Sequence, residues 1–266
     1  MEDNREELIN WKKGPSKTRV ILPLFEKRGT EWILSTSHSE QINWTIAFDG
    51  RNRGNISSLP SSGRYVSTVR THVPSGASGV NLSLGKPSEM FSGWENTLFN
   101  RPLVLVSNGH CEDPERWKPL QPNDSQKIFF KSAFSTAYPK VLNCDENENV
   151  LPNPLPVSVS NIKITSCYRT IKGSSLVNMY LEGCKCGMCE GPFQDQLLYF
   201  ELDKPAAQLD LTSENGQLSL ELVDVGDYDG DSKSEAIFFV SGYDEDGYAL
   251  FYDCFKKSVL YTWHYH

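Results

Sequence analysis

The chain has no apolar run approaching the ~20 residues that a membrane-spanning helix needs. Its longest runs, such as Leu103-Val104-Leu105-Val106, have the length of a buried strand. It has no basic excess: 26 Lys and Arg face 34 Asp and Glu, a formal charge of −8 with a pI near 5.2. Nucleic acid as a partner is therefore not expected, because phosphate binding requires a basic face. There is no Gly-x-Ser-x-Gly elbow and no phosphate loop, and none of the five histidines pairs with another at the helical spacing of a metal site. The charged opening Met1-Glu2-Asp3-Asn4-Arg5-Glu6-Glu7 lacks the apolar core of a secretory leader. These absences remove the common signatures of catalysis, nucleic-acid binding and membrane insertion.

What remains is the material of a folded β protein. Hydrophobic residues make up 38% and charged residues 23% of the 266, enough for a sizeable core. Short apolar and aromatic runs alternate with Gly, Pro, Ser and Asn clusters, the pattern of strands and turns. The predicted strands are 19–25, 31–35, 44–48, 64–69, 102–106, 127–130, 160–168, 175–181, 196–202, 217–223, 235–241, 248–253 and 258–265. Residues 2–12 read as a short helix within an N-terminal arm (1–16), and Asp113 to Trp117 as a helical turn with Pro114 at its first position. Ala47-Phe48 and Asp49 to Gly54 read as a strand, a turn and a returning strand, and Asp246-Gly247 as a hairpin turn. Residues 17–266 are expected to form one β-rich domain. Residues 74–93 are loop-like, and an internal boundary is placed in the acidic, then proline-rich stretch 143–156.

One segment carries chemistry. In Asp227-Tyr228-Asp229-Gly230-Asp231-Ser232-Lys233-Ser234-Glu235, acids stand at positions one, three, five and nine, directly before the apolar run Ala236-Ile237-Phe238-Phe239-Val240. Four carboxylates so close repel one another unless a cation sits among them, and hard oxygen donors suit Ca²⁺. An EF-hand is excluded, since position six is Ser232 and position twelve is Phe238 where that loop needs Gly and Glu. The competing reading is a solvated acidic turn. Asp224, just upstream, is expected to cap the turn rather than to bind the ion, and a second metal in the loop 242–248 is the minority alternative to its hairpin.

The shorter pattern, with Gly230 at position four and Glu235 at position nine, resembles the calcium loop of FG-GAP and VCBS repeats. Those repeats are known from integrin-type β-propellers and many exported bacterial proteins. The resemblance covers residues ~222–266, about one blade. It implies that Asp227, Asp229, Asp231 and Glu235 bind Ca²⁺ through their side chains and Lys233 through its carbonyl. The loop departs from the family at position six, usually Gly and here Ser232, and at position nine, often Asp and here Glu235. The fold it implies is an all-β, small or degenerate propeller. The alternative is a β-sandwich or two β subdomains.

The seven cysteines contain a second cluster, Cys184-Lys185-Cys186-Gly187-Met188-Cys189. Its three thiols could seed a Zn²⁺ site with Cys167 or His110 as a distant fourth ligand. Disulfides are the favoured reading for an exported chain, with Cys111, Cys144 or Cys167 reaching the cluster. A His110–Cys111 dyad is disfavoured because sequence neighbours point to opposite faces of a strand.

The expected function is thus a calcium-stabilised interaction module with a structural ion, outside the cell or in the periplasm with its leader removed, a cytoplasmic location being the alternative. Its partner would be a protein or carbohydrate surface. An enzyme is the less favoured class. The alternatives are a secreted hydrolase acting on an extracellular polymer and an accessory subunit of a larger envelope or surface assembly.

Overall fold

The computed structural model describes residues 18–19, 25–34, 42–47, 50–58, 61–62, 69–71, 104–106, 109–147, 149–182, 196–209, 211–213, 216–242 and 244–264. Among these the chain is mostly β, with one α-helix. The expected helix 2–12, the loop 74–93 and the cluster Cys184, Cys186 and Cys189 lie outside them. No described helix is long and apolar enough to cross a membrane.

The chain divides into two compact units. The first comprises residues 1–115, 221–240 and 244–266, and the second residues 116–220 and 241–243. The stretch 143–156 lies within the second unit.

The first unit is built around an antiparallel sheet in the order Ser219–Gly226, Glu235–Gly242, Glu245–Tyr252 and Lys257–His264. Its strands alternate apolar residues toward a core of Val223, Ile237, Tyr248 and Leu250. A hairpin, Phe25–Arg28 and Glu31–Leu34, turns at Gly29-Thr30 and places Phe25 and Trp32 in the same core. The strands Ile42–Ala47, Asn52–Ser58 and Val104–Val106 form a separate three-stranded sheet whose Ala47, Val104 and Val106 join it. The expected return about Gly50 is present: Ile42–Ala47 and Asn52–Ser58 pair antiparallel.

The hairpin turn expected at Asp246-Gly247 sits three residues earlier, between Gly242 and Glu245. Asp244 takes the left-handed conformation, φ 58°, while Asp246 and Gly247 lie inside the strand opposite Trp263 and Thr262. Gly247 is required there for a different reason than a turn. A methyl group on it would fall 2.1 Å from the carbonyl oxygen of Tyr261.

The second unit is a five-stranded antiparallel sheet in the order Lys204–Gln208, Gln196–Glu201, Ser175–Leu181, Ile162–Arg169 and Lys118–Pro119, with the helix Asp124–Ala137 packed on it. This helix replaces the strand expected at 127–130. Asn123 accepts from the Gln126 N–H, and the Gln126 side chain accepts from the Asn123 N–H, a reciprocal cap that starts the helix. Phe130 and Phe134, four residues apart, then share one buried face, and the Phe130 ring lies tilted against Phe200 with centroids 4.9 Å apart. The segment Asp113 to Trp117 is a turn rather than part of a helix.

Candidate cation site

The loop 227–235 joins two strands of the first unit's main sheet and is pinned at both ends. Near its start Tyr228 is buried in the core (1% exposed), with Asp227 and Asp229 on either side of it. Near its end the buried Ser234 donates to Asp113 at 2.7 Å. The Asp227 N–H donates to the carbonyl of Glu112 at 3.0 Å, so the 110–113 segment braces both ends.

Backbone amides hold the carboxylates in place. Asp227 accepts from the N–H groups of Gly230, Asp231 and Ser232. Asp229 accepts from the Asp231 N–H, and Glu235 from the Tyr228 N–H at 2.8 Å. Gly230 is at φ +82°, and a methyl group there would lie 3.0 Å from the His110 ring, so both backbone and space call for glycine. Ser232 takes the same left-handed conformation, φ 68°, without glycine's freedom.

Carboxylate oxygens of Asp227, Asp229 and Glu235 all lie within 4.8 Å of one another. The structure thus gathers three of the four expected acidic residues. Asp231 is not in this set; its Oδ1 accepts from the Lys233 N–H at 2.8 Å. Asp224, read from sequence as a cap, is buried in its strand and accepts from the Gly50 N–H at 3.1 Å, fixing that turn instead.

Glu235 is the floor of the group, 2% exposed. Burial first, then the charges of Asp229, Asp231 and Asp227, push its carboxyl up to about 8, against the opposing pull of the Tyr228 N–H. A carboxyl so placed favours a proton or a cation as company. The converging oxygens of Asp227, Asp229 and Glu235 offer hard donors to a cation.

Sequence reasoning missed Lys27. It comes from the hairpin 25–34 and lies 2.5 Å from Asp229 Oδ2, whose side chain is 5% exposed. Its ammonium also sits 5.5 Å from the ring centres of Trp32 and of Tyr252. Glu31 of the same hairpin accepts from Tyr252 Oη at 2.6 Å and from Lys257 Nζ at 2.7 Å, and these bonds hold its carboxyl below the usual range. No local signal in residues 25–34 announces this, since the partners lie some two hundred positions downstream. Loop, hairpin and the turn at Asp253 surround an open pocket of about 600 Å³.

Of the sulfur ligands considered from sequence, Cys111 and Cys167 are buried free thiols. His110 lies against Gly230.

No protein-family model matches this chain, and neither a curated protein nor a solved structure matches it.

Proposed function

We propose that the first unit is a calcium-stabilised interaction module and that the loop 227–235 is its ion site. The observation that carries this reading is the convergence of Asp227, Asp229 and Glu235 oxygens within 4.8 Å, with Glu235 buried at the base. Burying a carboxylate beside two others is costly unless positive charge is supplied. An all-oxygen, carboxylate-rich donor set on a short loop favours Ca²⁺ over the softer transition metals. Asp231 and the Lys233 carbonyl complete the shell by turning inward when the ion binds.

The ion's role is structural. It neutralises the loop and fixes the turn before Glu235–Gly242, one of the two inner strands of the four-stranded sheet. Two of the four carboxylates that border the pocket are paired with lysines, Asp229 with Lys27 and Asp253 with Lys233 at 3.9 Å, which supports a binding surface over a hydrolase. The FG-GAP/VCBS-like reading of residues 222–266 belongs to this proposal, with a degenerate propeller as its finer form. So do an extracellular or periplasmic setting and a protein or carbohydrate partner. With Cys111 and Cys167 free, a disulfide to the 184–189 cluster would run through Cys144.

The test is elemental analysis of the untreated protein with thermal unfolding before and after chelation, for wild type and Asp229→Ala. One calcium per chain is expected. Calcium at about a hundred times its Kd contributes about 2.7 kcal/mol, a rise of about 5–10 °C in the first unit's transition. Asp229→Ala should lose most of that rise. A melt indifferent to both chelator and calcium would overturn the assignment.

A further inference from the structure

The carboxylate that leads into the site is already held by a cation. Lys27 Nζ lies 2.5 Å from Asp229 Oδ2, and Asp229 is one of the three converging acids. The ammonium is not a solvated surface group that happens to be near. Its side chain is 27% exposed, and it rests 5.5 Å from the faces of both Trp32 and Tyr252. The two-residue turn at Gly29-Thr30 keeps the hairpin short, and Glu31 ties it to Tyr252 and Lys257. Lys27 is thus delivered to Asp229 by a fixed element.

We infer that Lys27 is the specificity-determining residue of the cation site, a tethered ammonium that an incoming ion must displace from Asp229. This rests on the reading of the loop as a cation site. An ion coordinated by Asp229 places its charge next to the ammonium, and the two repel. Lys27 must then swing off Asp229 into the adjoining pocket, remaining over the Tyr252 face. The charge balance sets the selectivity. Exchanging the ammonium for Na⁺ or K⁺ brings no additional positive charge to the three carboxylates, whereas a divalent ion adds one. Lys27 therefore lowers the affinity for every cation but rejects monovalent ions most. The same competition links ion binding to the hairpin: the ion-loaded protein holds residues 25–34 by Glu31 and the core residues Phe25 and Trp32, without the Lys27–Asp229 pair.

Two measurements on the full chain test this. Calcium affinity is read by calorimetry for wild type, Lys27→Met and the charge-keeping Lys27→Arg. Lys27→Met should bind Ca²⁺ about tenfold more tightly and should lose affinity when Na⁺ is added, while Lys27→Arg stays near wild type. In wild type, acetylation of Lys27 by an amine-reactive ester, followed by mass spectrometry, should rise several-fold on adding Ca²⁺, with exposed Lys140 as the unchanging reference. The acetylation readout keeps the test decisive even if Lys27→Met folds poorly. Wild type that binds Ca²⁺ while Lys27→Met binds equally or more weakly, or while Lys27 reactivity stays flat, overturns the role of Lys27 alone. Absence of binding by all three proteins overturns the cation site itself and this inference with it.

Discussion

Ser234 donates its hydroxyl hydrogen to Oδ1 of Asp113 at 2.7 Å, across 121 positions of sequence. Asp113 Oδ1 also accepts from the Glu115 N–H, and its own N–H donates to the Gly50 carbonyl at 3.3 Å. One aspartate therefore fastens the end of the acidic loop, its own turn and the Gly50 return. Ser234→Ala should cost about 1 kcal/mol and Asp113→Ala about 2, the larger loss reflecting two stranded donors, the Ser234 hydroxyl and the Glu115 N–H. Urea unfolding in calcium checks this. Equal costs for the two variants would show that Asp113 serves Ser234 alone.

Ser232 occupies a left-handed position, φ 68°, without glycine's conformational freedom. A Cβ in that conformation costs about 1–2 kcal/mol, part of which glycine's greater freedom in the unfolded chain takes back. Ser232→Gly should therefore stabilise the protein by about 0.5–1 kcal/mol, read as a higher urea midpoint. Gly230→Ala should act in the opposite direction, because its methyl group meets both a positive φ and the His110 ring.

Glu235 makes the metal-free protein pH-sensitive. Its carboxyl is pushed from an ordinary 4.5 up to about 8 by burial and by Asp229, Asp231 and Asp227. Between those values the folded chain keeps a proton that the unfolded chain has released, so stability falls as pH rises and levels off above about 8. In chelator, the urea midpoint of wild type should decline from about pH 5 to about pH 8, and Glu235→Gln should be flatter over the same window. Parallel curves for the two proteins would assign the slope to other groups.

The buried thiols should be inert. Burial, with the nearby Asp224 and Glu112 charges, pushes Cys111 up to about 11, and burial pushes Cys167 up to about 12. Iodoacetamide at neutral pH should leave both unmodified in the native protein and label both in denaturant. Native labelling of either would place it at the surface.

What sequence could convey differed by residue. The loop 227–235 was legible because alternating acids, a glycine and a following apolar strand are local facts. The helix Asp124–Ala137 was not, because the window 127–130 is shorter than two turns and hides the spacing of Phe130 and Phe134. Asp246-Gly247 carried a strong local turn signal that the pairing of Gly247 with Thr262 overrode. Lys27, Asp113 and Glu31 act on partners far along the chain, and no pattern within their own segments encodes those partners. The acidic triad was therefore readable, while the groups that brace and occupy it needed tertiary structure.

The first unit is assembled from both flanks of the second. During synthesis the ribosome emits the hairpin 25–34 and the segment 110–115 early, then the whole of 116–220, and only afterwards the loop 227–235 and its sheet. Lys27 must wait 202 positions for Asp229, and Asp113 must wait 121 for Ser234, roughly 6–40 s at ordinary elongation rates. The second unit, whose sheet and helix lie almost wholly in one continuous stretch, has no such delay. The nascent chain thus acquires the acidic loop among its last events, long after the segments that brace that loop have been synthesised.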